Sequence, residues 1–344
     1  MTNVRPCLSN DIPAWRDYIL DHDLGTVFHL PAWSQGVSQS YGHRPMHLLA
    51  EEDGKIRGVL PLFLIKSVFV GRVLVSVPYA TYGGIVADDH KTTLALLEAA
   101  RDLARTHRAQ YLELRHRENR NIDIPVIDRY DTFRKQLPEK SDEILSALPR
   151  KTRAAARKGC KLLDVKIERG DGLTDTIYDL YAWTLRRLGS PNYKRRFFHD
   201  LARAYGDDCV GLVVYDEGKA VAGVISFTFR DEIVPYFSGS YESAMRKNCN
   251  NAMYIRLMEW ATDQNLRWFD FNRTRRDNHG PHAFKRYHGF EPEPLQYQID
   301  LNLAKELPNL SPSNRKFKMA GNVWRKLPLA ITRCAGGVIS KWIP

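Results

Sequence analysis

Between residues 269 and 290 the chain reads FDFNRTRRDNHGPHAFKRYHGF, which sets a carboxylate, an arginine cluster and a lysine in and beside an aromatic strand end. These types suit transfer of an acyl group to an amine. That reaction passes through a tetrahedral intermediate with negative charge on the former carbonyl oxygen, and one fixed donor there lowers the barrier by about 3 kcal/mol. Lys285 is a compact cation on a flexible stem, suited to an oxyanion or a phosphate; the alternative is a solvated lysine on a short helix. Asp270 alternates with Phe269 and Phe271 and so faces the other side of the strand. It serves either the chemistry or the backbone donors of the strand end. Arg273, Arg275 and Arg276 form a basic loop at that end, where open α/β sheets bind ligands, or else a solvated loop. Pro281 is expected to open the helix carrying Lys285, with Phe284 and Tyr287 as walls of the site and Arg286 as a further cation. Tyr236, in PYFSGSY, packs either a substrate or the core.

Other chemistry is less well supplied. His279, His282 and His288 lack zinc-ligand spacing, so no metal is expected. No general base stands out, and an amine needs only desolvation and positioning. The segment before the main second-half helix, RKNCNNA (246–252), has no glycine to let backbone N–H groups approach a pyrophosphate, and neither has DDHKTT in the first half. This counts against acyl-CoA as donor. RKTRAAARKGCK (150–161) carries six basic residues and no acid, a face for a tRNA acceptor arm or a diphosphate, or simply for solvent. No motif of a dedicated DNA or RNA reader is present.

The chain that must position these groups has 344 residues, 43% hydrophobic, enough for two cores of ordinary size. The net charge of +11 points to an anionic partner, and +7 of it lies in residues 302–344. Five scattered cysteines without a CxxC pair suit a reducing compartment. The N-terminus has no apolar h-region, and residues 68–87 read as strands and a turn, so a cytoplasmic location is expected.

Laid against itself, the chain repeats. DGKIRGVLPLFLIK (53–66) matches EGKAVAGVISFTFR (217–230), each a turn opening a β-rich run. VPY recurs at 77–79 and 234–236, and YLEL (111–114) has the acid pattern of WFDF (268–271), both 157 residues apart. A duplicated α/β domain follows: a strand, two helices, a meander of long strands, a helix and a late strand in each half.

FHLPAWSQ, VPYATYGG, LPRKTRAAARKG, FDFNRT and FKRYHGF, in this order over residues 5–300, resemble the FemAB group of transferases, and within it the FemAB-like proteins associated with exosortase (PEP-CTERM) systems. The resemblance implies a mixed α+β architecture of two tandem GNAT-type acyltransferase domains, each a mostly antiparallel sheet flanked by helices. The expected boundaries are 1–149, a basic linker helix 150–163, a second domain 164–301 and a basic amphipathic tail 302–344. It further implies transfer from aminoacyl-tRNA, with acyl-CoA as the alternative donor, to an amine on a cell-envelope or exopolysaccharide precursor, and no tightly bound cofactor. Lys285 takes the place of the family's lysine in the F-K-x-x-x-G-F-like segment, and Trp33 joins the substrate-binding residues. The lysine that follows this tryptophan in the family has no match here, where Ser-Gln-Gly follows. The tail, residues 312–344, mixes Trp and aliphatic residues with Lys and Arg. It suits peripheral contact with an inner membrane or docking on the protein's own body.

Overall fold

The computed structural model describes residues 2–306 and 315–343, so the expected tail lies partly outside the described residues. The first half runs β1 (Asn3–Pro6), α1 (Ile12–Asp21), α2 (Pro31–Tyr41), β2 (Leu48–Glu52), β3 (Lys55–Leu60), β4 (Leu62–Ser67), β5 (Gly71–Ser76), α3 (His90–Thr106), β6 (Tyr111–His116) and β7 (Arg134–Gln136). The basic segment is helix α4 (Arg150–Leu162). The second half runs β8 (Asp164–Arg169), α5 (Thr174–Leu188), α6 (Arg195–Tyr205), β9 (Cys209–Asp216), β10 (Lys219–Phe229), β11 (Glu232–Ser240), α7 (Cys249–Asp263), β12 (Trp268–Asp270), α8 (His279–Tyr287) and β13 (Gln296–Leu301). Helices α9 (Arg315–Lys326) and α10 (Leu329–Ile339) close the chain.

Contacts divide it into two compact units. One takes Met1–Asp128, Leu295–Ser311 and Ile339–Pro344; the other takes Arg129–Pro294 and Pro312–Val338. These limits differ from the expected cuts at 149 and 301, and the cause is an exchange of strands. β7 follows β6 in sequence but pairs antiparallel with β12, Arg134 opposite Asp270. β13 follows β12 but pairs antiparallel with β6, Gln296 opposite His116. Once this exchange is counted, the strand orders agree. The second unit has β7-β12-β11-β10-β9-β8. The first has β13-β6-β5-β4 in one sheet, edged by the short strand Arg44–Pro45, and β3-β2-β1 in another, edged by Val86–Ala87; between β3 and β4 stands Pro61, which cannot donate to a ladder.

The duplication is closest in the hairpin. Asp53 and Gly54 (φ 51° and 72°) and Glu217 and Gly218 (φ 50° and 77°) form two-residue loops with both central φ positive, the turn whose twist suits a hairpin. A register shift follows at Ala50/Glu51 in one copy and at Val214/Tyr215 in the other, the same place in each. The VPY match fails. Residues 234–236 lie inside β11, whereas Val77 and Tyr79 lie beyond the end of β5 with φ of 43° and 63°. The equal 157-residue offset of the two short matches was therefore coincidence for VPY, because the two segments have different backbone conformations.

Each unit has its own core. In the first, Leu96, Leu97, Ala100 and Ala104 line one face of α3 and pack with Leu48, Leu60, Leu62, Leu74 and Leu112. In the second, Ile255 and Met258 of α7 pack with Leu212, Val224, Ile233, Phe269 and Phe271. Close approach is needed in places: a Cβ on Gly239 of β11 would stand 2.3 Å from the carbonyl carbon of Leu180 on α5.

Candidate functional site

In the second unit β11 and β12 are parallel, and their pairing stops after two positions, Glu232 with Trp268 and Ile233 with Phe269. Beyond that point no strand is paired on this side of β11 among the described residues, and the C-terminal ends of the two strands part. On the other side of β11 the register with β10 shifts, with Ser226 opposite Pro235 and Ile225 opposite Phe237, so Tyr236 sits at a bulge. Tyr236 is half-buried, its ring 4.7 Å from Phe237 and 6.4 Å from Phe227.

Asn272 bridges the parting strands. Its Nδ2 donates to the Pro235 carbonyl at 2.8 Å, its backbone N–H donates to Asp270 Oδ1 at 2.7 Å, and its φ is 60°. Its Oδ1 is buried without a hydrogen-bond partner. Asn272 is not among the residues singled out from the sequence, although an Asn after an acid at a strand end is a signal for left-handed backbone. Asp270 is fully buried, and its carboxylate also accepts from Thr132 Oγ1 at 3.4 Å. It thus accepts a backbone donor at the strand end.

Lys285 lies on α8, a helix that begins at His279, two residues before Pro281. Its Nζ donates to the carbonyls of Phe271 and Asn272 at 2.7 Å each and of Arg273 at 3.4 Å. The Phe133 ring centroid lies 4.9 Å away. Burial pushes the amine down to about 7, while the Asp270 charge pulls it up. This corrects the expectation that the ammonium faces an oxyanion or a phosphate: its protons are spent on three carbonyls, because the loop after β12 turns its C=O groups inward over α8. Lys285 thereby ties the 271–273 loop to α8.

The arginine loop is also partnered. Arg275 pairs with Asp277 at 2.7 Å and Arg276 with Asp131 at 2.7 Å, where His282 joins at 3.1 Å. Thr274 and Arg275 pair with Asp131 and Tyr130 as a short antiparallel bridge. Arg273 lies over the Tyr130 ring at 5.0 Å. Arg275 and Arg276 thus meet carboxylates, which corrects their reading as open phosphate donors. Phe284 packs with Tyr254 and His288, while Arg286 and Tyr287 are exposed, Tyr287 at 67%. Trp33 is fully buried in the first unit, its Nε1 donating to the Pro78 carbonyl at 3.1 Å and its ring 4.8 Å from Phe28. It is a core side chain there, and its burial leaves no surface for a substrate.

Helix α4 turns Thr152, Ala156 and Gly159 inward, while Arg150, Lys151, Arg157, Lys158 and Lys161 are exposed on the opposite side. Gly159 lies against the first turn of α7, where a Cβ would meet the Asn248 carbonyl at 2.8 Å. Thr152 Oγ1 donates to the Tyr287 carbonyl, which sets the exposed Arg286 and Tyr287 beside the start of α4.

The first unit has a pocket that the sequence analysis missed, lined among others by His29, Gly84, His116, Arg117 and Arg120. It lies where the parallel pair β5–β6, joined only at Leu74–Leu112 and Val75–Glu113, comes apart. Burial pushes both imidazoles down to about 3 and lowers the Arg120 guanidinium. The run RHRENR (115–120) was the available signal.

Comparison with known proteins agrees with this architecture. Residues 146–286 match the family model described as an acetyltransferase (GNAT) domain. The chain has the tandem GNAT-type fold. The crystal structure of FemX is similar over 88% of this chain and 98% of its own, with a TM-score of 0.66 at 14% identity. A tandem GNAT protein from the clavulanic acid biosynthesis pathway is similar over 88% of this chain and 98% of its own (TM-score 0.54, 13% identity). The structure of L-PGS from Bacillus licheniformis covers 94% of this chain and 99% of its own (TM-score 0.56, 13% identity). No curated protein matches the sequence.

Proposed function

We propose that this protein is a FemAB-like acyl or aminoacyl transferase that forms an amide on an amine of a cell-envelope or exopolysaccharide precursor. The observation that carries the reading is the opening between β11 and β12, with Tyr236, Asn272 and the Lys285-held loop at its mouth. Pro235 has no N–H to pair across the gap and its carbonyl is taken by Asn272, so the donors of this edge are the backbone N–H groups of β11 beyond it; such fixed donors favour the oxyanion of the intermediate. The amine attacks the acyl carbon and a C–N bond forms. The bond from carbon to the donor's oxygen or sulfur breaks, and the amine's proton leaves with that group.

Aminoacyl-tRNA is the favoured donor, with acyl-CoA second. The exposed cations of α4 and the neighbouring Tyr287 suit a phosphate chain with an unstacked base. The start of α7, where a pyrophosphate would meet the helix N-terminus, has α4 packed against it at Gly159. Acyl-CoA is retained because the matched family model is that of an acetyltransferase domain. A non-enzymatic role, binding an envelope polysaccharide through basic surfaces, is the remaining alternative. We place the protein in the cytoplasm, peripheral to the inner membrane; no described helix is long and apolar enough to cross a membrane.

The test is turnover with labelled aminoacyl-tRNA and labelled acyl-CoA against a panel of amine acceptors. Tyr236→Ala, by removing a wall of the opening, and Lys285→Ala, by releasing the 271–273 loop, should each lower the rate about ten- to a hundredfold through misplacement of the reacting groups. Activity within twofold of the parent in both folded variants would remove the site, and absence of turnover with every donor would favour the binding role.

A further inference from the structure

Helices α9 and α10 are held to the second unit by one side. Small residues make that contact: a Cβ on Gly321 would meet the Gly189 carbonyl oxygen at 3.0 Å, and one on Gly336 would meet Asn192 Oδ1 at 2.4 Å. Asn192 Nδ2 donates to the Arg333 carbonyl at 3.2 Å, and Arg186 Nε to that of Leu327 at 2.5 Å. Docking on the protein's own body, one of the two readings of the tail, therefore holds for these faces.

The other side is open. On α9, Met319 and Val323 are exposed at 62% and 61%, one turn apart, and Lys326 continues the stripe. On α10, Ile331 and Val338 are exposed at 50% and 52%, spaced by two turns. Residues 307–344 contain seven Lys or Arg and no Asp or Glu. Arg333 meets Asp179 at 3.0 Å and Arg325 the Leu188 carbonyl at 3.2 Å, whereas Lys326 is exposed beside Met319 and Val323. Exposed apolar side chains at helical spacing, in a segment whose own sequence has cations and no acid, match a helix lying in the headgroup region of an anionic bilayer.

We propose that the outer faces of α9 and α10 dock on an anionic lipid surface, with Met319, Val323, Ile331 and Val338 entering the headgroup layer and Lys326 facing lipid phosphates. This rests on the tail alone and stands apart from the acyl-transfer reading. The full chain would be sedimented with phosphatidylcholine vesicles and with vesicles of equal parts phosphatidylcholine and phosphatidylglycerol, at low and high salt. Binding is expected on the anionic vesicles only, weakening as salt rises. Met319→Glu/Lys326→Glu and Ile331→Glu/Val338→Glu should each lower bound protein about tenfold, since each charge near such a surface shifts affinity several-fold. Unfolding curves check that the variants are folded, and each double variant changes one helix, so either suffices. Absence of binding, equal binding to neutral vesicles, or binding unmoved by the folded variants would overturn the proposal. So would a parent dimer that these substitutions dissociate, because a second copy would then cover the face.

Discussion

Replacing Lys285 with Met keeps an unbranched chain of similar length and removes every donor. Two carbonyls at 2.7 Å, those of Phe271 and Asn272, then lose their partner in a buried place. Leaving each unsatisfied costs about 1–3 kcal/mol, partly offset because a buried ammonium no longer has to be desolvated, for a net loss of about 2–4 kcal/mol near neutral pH. The offset is pH-dependent. Burial lowers the folded-state value from 10.5 to about 7, so between those values the unfolded chain binds more protons and the parent gains stability as pH rises. Lys285→Met lacks this term. The stability difference between parent and variant should therefore widen by about 2–3 kcal/mol from pH 6 to pH 9. Urea unfolding at several pH values, followed by tryptophan fluorescence, measures it. A difference that stays flat with pH would mean that the amine is not held in a dry site. A variant as stable as the parent at every pH would mean that the carbonyls do not depend on it.

Asp270→Asn removes the charge that supports the Lys285 ammonium, so the rise in stability with pH should begin at a lower pH in the variant than in the parent; the same unfolding series reads the shift. Gly239→Ala should cost about 2–3 kcal/mol, because the added Cβ meets the backbone of α5 at Leu180 and Tyr181, and unchanged thermal unfolding would count against the packing described. Trp33→Ala should destabilise the protein by about 3–5 kcal/mol as a core truncation; lost substrate affinity at unchanged stability would restore its binding role. If α4 tracks a phosphate chain, Arg157→Glu/Lys158→Glu should weaken tRNA binding and flatten its log–log salt dependence by about one unit per lost phosphate contact, read by filter binding across a salt series.

Much of this was legible in the sequence because it is local. The Asp-Gly and Glu-Gly turns dictate their hairpins through backbone sterics, and the apolar periodicity of residues such as Leu96, Leu97, Ala100 and Ala104 dictates a helix face. Hence the duplicated mixed sheet, the basic helix at 150–162 and the short helix bearing Lys285 could be read in order along the chain. Partners distant in sequence could not. Nothing in ARG-LYS-GLN at 134–136 says that it pairs with Trp268–Asp270, because a strand's own pattern fixes its faces and leaves its neighbour open. The same gap misled the reading of the site. Charge and position suggested that Lys285, Arg275 and Arg276 face a ligand, but folding brings three carbonyls, Asp277 and Asp131 to them. A buried cation is stable only when paired, and which groups pair with it is decided by the tertiary structure.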